Sequence, residues 1–364
     1  MLDPILRDLH IPLARGGVLS LGFFFGRLTG VFLLNVGLAR VPLKWILVGA
    51  AWLQAVGLAV SSLFSYGLWS LFGALFVVGM AAVIPNAVPG MWVGAHVREG
   101  TERAMLLILV FFALGVVVAP LVIGAALGSG ASWRWVFGGE ALFSVGMALL
   151  LTAMPLADVP NRENLRLRHV RQVVGFAPGL LASMLAATLL YVGAESTFNV
   201  WLAKYQIDAF AARPAVAALA VTVFWAGIMV GRYGAIPLSR RFRSSRLLAA
   251  FSAILAAGAV GVAVSPSLGI SEVFVFVAGL GASAIFGLVA GYTNRFPHWH
   301  AGVVYSWMIL TGCLGSMLFP YLIGPLAHNL GFRLAMSAAA ILAAGVILLS
   351  LPLHRAAARE SAGG

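Results

Sequence analysis

The sequence carries very little charge for its length. Of its 364 residues only 9% are charged, whereas 62% are hydrophobic, and the mean hydropathy is +1.01. A soluble domain needs about a quarter of its residues charged to cover its surface, so lipid must cover most of this surface. The net charge of +12 does not indicate nucleic-acid binding, because the basic residues lie in short loops between apolar runs.

Cysteine, metal-binding motifs and catalytic motifs are also scarce. Cys313 is the single cysteine, so no intramolecular disulfide can form. The seven histidines fall in loops or at segment ends, and no HExxH, paired CxxC or phosphate-binding glycine loop occurs. No Ser-His or paired-Asp arrangement lies inside the apolar runs. We therefore expect no metal, no cofactor and no enzymatic activity.

Long hydrophobic runs, by contrast, are abundant. An apolar stretch of about 20 residues is long enough to cross a bilayer as a helix. We therefore predict an all-α polytopic membrane protein with eleven membrane helices, at 16–38, 45–66, 68–94, 103–127, 134–156, 176–203, 214–238, 246–266, 270–294, 301–326 and 331–353.

Basic residues are unevenly distributed over the loops. One side comprises the loops at 39–44, 95–102, 157–175, 239–245 and 295–300, the C-terminal tail, and the adjoining Arg103 and Arg246. This side holds fifteen of the 23 Lys and Arg residues, and the opposite side holds six. Because cytoplasmic loops are enriched in Lys and Arg, we expect the first side and the C-terminus to be cytoplasmic, in a protein of the plasma (inner) membrane.

The two halves of the chain share a repeat. LGVVVAPLVIG at 114–124 and LGSMLFPYLIG at 314–324 both fit LGxxxxPxxIG. FFFGRLTG at 23–30 and IMVGRYGA at 228–235 each carry a Gly-Arg pair in mid-segment, and Arg134 and Arg333 each open the last segment of a half. Three matches in the same helix order indicate an internal duplication.

The duplication predicts the domain organisation. We expect an N-terminal half-bundle at 1–156, a cytoplasmic linker loop at 157–175 and a C-terminal six-helix half-bundle at 176–364.

The first half has five segments and the second has six, and the unmatched segment is 176–203. We therefore expect that the first helix of a six-plus-six plan is missing, and that residues 2–17 are its end and an external loop. A misplaced start codon, a truncation and a real loss would each explain this.

Two half-bundles joined by a basic loop resemble the major facilitator superfamily of secondary transporters. The Gly-Arg of the second helix followed by GLARVPLKW at 37–45, RRFRSSR at 240–246 and SWRWVF at 132–137 are similar to motifs of that family. YVGAE at 191–195, followed by an aromatic residue and a Tyr, resembles the family's fucose and glucose symporters. The resemblance implies alternating access around a central cavity, lined in part by the seventh helix of the family plan.

An acid inside the segment at 176–203 is the main candidate for a functional group. An ionised group at the bilayer centre costs about 2.5–3.5 kcal/mol, so Glu195 is expected to face the bundle interior or a wet cavity. Tyr191, Glu195 and Asn199 are four residues apart and, with Thr188, lie on one helical stripe of ~80°. Hydroxyl, carboxylate and amide groups can all bind a polyhydroxy solute or each other. A structural Glu, either protonated or bonded to a neighbouring helix, is the alternative.

Other polar and aromatic residues of the segments are further candidates for solute binding or ion coupling. One of the arginines could pair with Glu195 or bind an anionic solute. Alternatively, both could contact backbone carbonyls or extend towards the cytoplasmic face. The tryptophans could stack on a sugar face or serve packing alone. These candidates are Arg27, Asn86, Trp225, Arg232, Tyr292, Asn294 and Trp307.

The leading hypothesis is a monomeric secondary transporter in the lipid bilayer. It would move a small organic solute, for which we favour a sugar, with or against a proton. Two alternatives stay open. One is an efflux transporter for drugs or metabolites, which favours a more apolar cavity. The other is a truncated membrane protein that does not transport.

Overall fold

The computed structural model describes residues 2–34, 41–85, 88–89, 92, 101–157, 174–296 and 298–362. Helices dominate these residues, in the order α1 (Leu2–Asp8), α2 (Leu13–Phe32), α3 (Leu43–Leu63), α4 (Leu68–Ala82), α5 (Thr101–Gly128), α6 (Trp133–Ala153), α7 (Pro178–Phe210), α8 (Pro214–Arg241), α9 (Ser244–Val264), α10 (Leu268–Ala282), α11 (Ile285–Ala290), a 3₁₀ helix (Gly291–Arg295), α12 (His298–Leu330), α13 (Phe332–Met336) and α14 (Ala338–Ala362).

The all-α membrane class is confirmed. Each of the eleven predicted segments contains a helix. Within the described residues, eight helical stretches are long and apolar enough to cross a membrane, and α1 with α2 forms one more such stretch, bent by 119°. The segment 68–94 is described as a continuous helix only over α4, since several residues beyond it are outside the described part of the chain.

Three helix boundaries differ from the expected ones. The segment predicted at 176–203 continues to Phe210, because an ion pair between Lys204 and Asp208 supports its last two turns. The segment at 270–294 is not one helix but breaks at Ser283 and Ala284, between α10 and α11. The segment at 331–353 is interrupted at Ser337, between α13 and α14. Hydropathy does not report such breaks, since all these residues are apolar or small.

The chain forms two compact units, Asp3–Leu165 and Arg166–Gly364. In the first unit α2 packs on α4, and α3 packs on both α4 and α6. In the second unit α8 packs on α10, and α9 packs on both α10 and α14. The same three pairings therefore occur in each unit. The second unit adds α7, which contacts α8, α12 and α14. The proposed linker at 157–175 stays a prediction, since residues 158–173 are outside the described part.

Small residues allow the paired helices to approach closely in both units. Glycine has no Cβ atom, and one added to Gly79 of α4 would lie only 1.9 Å from the carbonyl oxygen of Phe23 in α2. A Cβ on Gly279 of α10 would lie 2.1 Å from the carbonyl oxygen of Phe224 in α8. Only glycine fits at such a contact, and this is the usual way in which membrane helices come together. The two contacts are repeat-related.

The facing glycines give the register of the repeat. A Cβ on Gly26 would lie 2.0 Å from the carbonyl oxygen of Phe76, and a Cβ on Gly227 would lie 2.4 Å from that of Phe276. Gly26 in α2 and Gly227 in α8 therefore occupy equivalent places against the partner helix. The duplication is thus visible in backbone packing as well as in sequence.

This register corrects the predicted match between the two Gly-Arg pairs. In the sequence repeat, Arg27 and Arg232 were matched as equivalent positions. The packing instead makes Ile228 the equivalent of Arg27, and Val31 the equivalent of Arg232. The prediction was wrong by one helical turn. A shift of four residues turns a helix by about 400°, so both arginines keep nearly the same face. The pattern GxxxG recurs along both helices, and this allowed the wrong glycine to be matched.

Arg134, at the start of α6, caps the end of α3. Its guanidinium donates to the carbonyl oxygens of Ser62 at 3.0 Å and Ser65 at 2.7 Å. These carbonyls belong to the last turn of α3 and the residues after it, where no helical N–H is left to bond them. Asp8 lies 3.7 Å from the Arg134 Nε and also accepts a hydrogen bond from Trp133.

Arg333, at the start of α13, does the same for α9. It donates to the carbonyl oxygens of Ser265 at 2.6 Å and Ala263 at 3.5 Å. The hydroxyl of Tyr205 donates to the carbonyl of Val262 at 2.6 Å, so the end of α9 is capped from two helices. The predicted equivalence of Arg134 and Arg333 is confirmed by this shared contact.

Candidate functional site

α7 is held rigidly against α12 in the second unit. A Cβ on Gly315 of α12 would lie 2.3 Å from the carbonyl oxygen of Leu189, so the two backbones touch there. About three turns further along α7, the indole N–H of Trp201 donates to the carbonyl oxygen of Pro320 at 2.7 Å. Trp201 is fully buried. Contacts at both ends of this interface fix the rotation of α7, and hence the direction of the polar stripe that it carries.

Three residues of the predicted stripe, Tyr191, Glu195 and Asn199, are linked by hydrogen bonds. The hydroxyl of Tyr191 donates to the carboxylate of Glu195, one turn further along. The side-chain amide of Asn199 donates to the backbone carbonyl of Glu195 at 3.0 Å. Tyr191 is buried, with 2% of its surface exposed, whereas Glu195 and Asn199 are half-buried. The carboxylate therefore has a hydroxyl donor on its buried side and lies beside more accessible polar groups.

A second helix joins this stripe through Trp225. The indole N–H of Trp225, on α8, donates to the amide oxygen of Asn199 at 2.7 Å. The neighbouring residues Phe198 and Phe224 are both fully buried and stack with ring centroids 5.0 Å apart and planes 14° apart. This stack holds α7 and α8 in register, so that the bond between Trp225 and Asn199 can form. We call Tyr191, Glu195, Asn199 and Trp225 the polar chain.

The polar chain combines several binding chemistries in one place. It offers a carboxylate and an amide oxygen as acceptors, amide and hydroxyl groups as donors, and an indole ring as a flat apolar surface. A carboxylate has about four acceptor positions, so it can accept the bond from Tyr191 and still bind another donor. Such a set suits a solute with several hydroxyl groups. Within the described residues, no group of three or more His, Cys, Asp or Glu could hold a metal ion.

The other second-unit candidates make contacts of their own. Thr188 is buried and donates to the carbonyl of Met184 in its own helix at 2.8 Å. The Nε of Arg232 donates to the backbone carbonyl of Ser283 at 3.4 Å, at the break between α10 and α11. Tyr292 is buried in the 3₁₀ helix. Arg232 therefore makes the carbonyl contact of the predicted alternative, and its pairing with Glu195 stays a prediction.

Four candidates need separate mention. Trp307 is half-buried in α12. Arg27 belongs to the first unit, and its Nε is buried with no hydrogen-bond partner among the described residues. Asn86 lies outside the described residues, and so does the side chain of Asn294. Their predicted roles stay predictions.

Sequence inspection missed the residues that position the polar chain. Trp201 was not a candidate, although an indole in the same helix as an intramembrane acid is a signal for a specific contact, since a buried N–H needs an acceptor. Phe198 and Phe224 carried no signal, because apolar aromatics are common in every segment. The bond between Asn199 and Trp225 joins two helices and has no fixed spacing in sequence.

The comparisons with known proteins agree with this architecture. The family model described as Major Facilitator Superfamily matches residues 1–320. Among curated proteins, the Protein TsgA homolog of Erwinia tasmaniensis is 24% identical over 361 residues, covering 97% of this chain and 89% of that protein. The Protein TsgA homolog of Yersinia pseudotuberculosis is 22% identical over 331 residues, covering 90% and 83%.

Solved structures share the fold at low sequence identity. The nucleoside transporter NupG superposes with a TM-score of 0.76 at 13% identity, covering 97% of this chain and 92% of that one. The D-xylose-proton symporter superposes with a TM-score of 0.77 at 13% identity, covering 96% and 91%. A single-residue variant of the Escherichia coli fucose:proton symporter FucP superposes with a TM-score of 0.61 at 15% identity, covering 96% and 93%. At these identities the likeness concerns the fold alone.

Together, the apolar helices, the duplicated packing of the two units and the match of the family model over residues 1–320 lead to one conclusion. The chain is an integral multi-pass membrane protein and belongs to the Major Facilitator Superfamily, a family of transporters rather than enzymes.

Proposed function

We propose that this transporter carries a small polyhydroxy solute, with a sugar as the favoured class, and that the polar chain is part of its binding site. The observation that supports the proposal is the hydrogen-bonded connection of Glu195 to Tyr191 on its own helix, and through Asn199 to Trp225 on α8. Transport would proceed by alternating access of two half-bundles around a central cavity, as is usual in this family.

The chemistry of the polar chain favours a sugar over an apolar solute. Carboxylate and amide groups bind the alternating donors and acceptors of sugar hydroxyls. The bond to Asn199 restrains the indole of Trp225, so that its face has a defined orientation for stacking on a sugar ring. An efflux transporter for apolar compounds would gain little from three polar side chains on one stripe, since each must be desolvated when the solute binds.

Glu195 is the proposed coupling residue. An ionised carboxylate inside the membrane costs about 2.5–3.5 kcal/mol, and the hydroxyl of Tyr191 offsets part of this cost by donating to it. Binding of a proton removes the charge and weakens that bond. In this proposal the protonation of Glu195 is linked to solute binding, because both compete for the same oxygens.

The proposal also covers the membrane location, the orientation and the oligomeric state. The excess of basic residues in one set of loops supports a plasma-membrane protein with a cytoplasmic C-terminus. We propose that it acts as a monomer, since each transporter of this fold encloses its own solute pathway.

The solute class can be tested by thermal stabilisation of the purified protein. A solute that binds the folded state raises the midpoint of unfolding as its concentration exceeds its dissociation constant. The test set is D-xylose, L-fucose and uridine, with the apolar cation ethidium as a comparison. We expect a sugar to stabilise and ethidium to have no effect. Stabilisation by ethidium alone would favour efflux, and no stabilisation by any sugar at high concentration would contradict the proposed class.

The role of Glu195 can be tested by uptake into proteoliposomes with an imposed proton gradient. Glu195→Gln keeps the size of the side chain but cannot titrate, so it should abolish uphill accumulation while leaving solute exchange partly intact. Glu195→Ala also removes the hydrogen bonds, and loss of a charge-assisted bond weakens binding by roughly ten- to a hundredfold. Glu272→Gln is the matched control, because it neutralises another intramembrane acid of the same unit at a different place. Parent-like accumulation by both Glu195 variants would show that Glu195 is structural.

A further inference from the structure

A cavity in the first unit has no part in the proposed solute site. It lies between α2, α3 and α4 and has a volume of about 190 Å³. Its walls are apolar, formed by residues that include Leu33, Val41, Leu53 and Ile84. A Cβ built on Gly49, which also lines it, meets no atom within 4 Å, so this part of the wall opens onto free space.

One edge of this cavity is amphipathic. Trp45 lines the cavity and is 55% exposed, and the ammonium group of Lys44 lies 5.6 Å from the centroid of its ring. Tryptophan and lysine are the side chains that lie at the level of the lipid head groups, where an apolar body meets a polar boundary. The cavity is therefore apolar inside and positively charged at one edge.

This combination matches one class of ligand. An empty apolar space between membrane helices is filled most favourably by hydrocarbon, since every apolar atom of its wall otherwise lacks a contact. The charge of Lys44 favours a negatively charged head group over a zwitterionic one. A sugar would find no side-chain hydrogen-bond partner on these walls apart from the indole N–H of Trp45, because the other side chains that form them are apolar.

We propose that this cavity is a phospholipid site, in which an acyl chain fills the space beside Gly49 and an anionic head group lies against Lys44. The site belongs to the first unit only and does not depend on the role of Glu195. A lipid held between α2, α3 and α4 would fill the gap that the helices leave at this end.

The proposal can be tested by native mass spectrometry of the detergent-purified full chain, titrated with phosphatidylglycerol and with phosphatidylcholine. The parent should retain one tightly bound phosphatidylglycerol. Gly49→Leu should lose it, because the new side chain occupies the cavity. Lys44→Gln should reduce the preference for phosphatidylglycerol about fivefold, as expected for the loss of one lysine near an anionic head group. Gly146→Leu is the matched control, since Gly146 is an exposed helical glycine of α6 with open space around it.

Fluorescence gives a second measurement of the same site. Phosphatidylglycerol brominated on its acyl chain should quench a component of the tryptophan emission that is absent in Trp45→Phe, and Gly49→Leu should reduce this quenching. Equal retention of both lipids by the parent, or unchanged retention in Gly49→Leu, would overturn the proposal. Loss of the lipid in the control Gly146→Leu would also overturn the proposal, since binding would then not depend on this cavity.

Discussion

Substitution of Gly79 by alanine tests the close packing of α2 and α4. The new methyl carbon would lie 1.9 Å from the carbonyl oxygen of Phe23, whereas real contacts of this kind are almost never below 3.0 Å. The helices must therefore separate by about 1 Å, and a forced change of this kind in a packed interior costs about 1–3 kcal/mol. The higher helix propensity of alanine relative to glycine offsets about 0.8–1.0 kcal/mol of this cost.

Gly73 is the matched control in the same helix. A Cβ there meets no atom within 4 Å, so Gly73→Ala gains the helix preference without a steric cost. We therefore expect Gly79→Ala to be less stable than Gly73→Ala by about 1–3 kcal/mol, which corresponds to several degrees in the midpoint of unfolding.

The assay is thermal unfolding of the purified variants in one detergent, followed by tryptophan fluorescence and by the loss of the monodisperse peak in gel filtration. Gly279→Ala should behave like Gly79→Ala, since its Cβ would lie 2.1 Å from the carbonyl oxygen of Phe224. Equal midpoints for Gly79→Ala and Gly73→Ala would refute the argument that these helices are in backbone contact.

Three further outcomes are expected. Arg333→Ala should lower stability by about 1–3 kcal/mol in the same unfolding assay, because the carbonyls of Ala263 and Ser265 lose their donor. A midpoint equal to that of the parent would show that water replaces the guanidinium. Glu272→Gln should raise the midpoint, because both carboxylate oxygens are buried without a hydrogen-bond partner among the described residues, and a neutral amide bears a smaller desolvation cost than a carboxylate. An unchanged or lower midpoint would contradict this. In intact cells, a cysteine introduced at Asp208 should react with an impermeant thiol reagent, whereas cysteines in the 157–175 loop should not, as the distribution of basic residues predicts. The reverse labelling pattern would show that the orientation is the opposite one.

The membrane class and the order of the helices follow from the sequence alone. A bilayer imposes a length of about 20 apolar residues on each crossing, and every run of that kind in this chain contains a helix. The duplication is also visible in sequence, because LGxxxxPxxIG and the two arginines at the start of the last segments recur at nearly constant separation. The stripe of Tyr191, Glu195 and Asn199 follows from helical geometry, which requires residues four apart to share a face.

Only the tertiary structure decided what these local features contact. The register of the repeat depends on which glycine meets which carbonyl, and GxxxG spacing allows more than one answer along α2 and α8. The partner of Asn199 is Trp225, 26 residues away on another helix, and no periodicity within one segment indicates that distance. The break at Ser283 and the cavity beside Gly49 are visible only in the folded chain, and hydropathy does not indicate either of them. Local sequence thus specifies helices and their polar faces, since these depend on residues within a turn or two. The pairing of those faces depends on residues that only folding brings together.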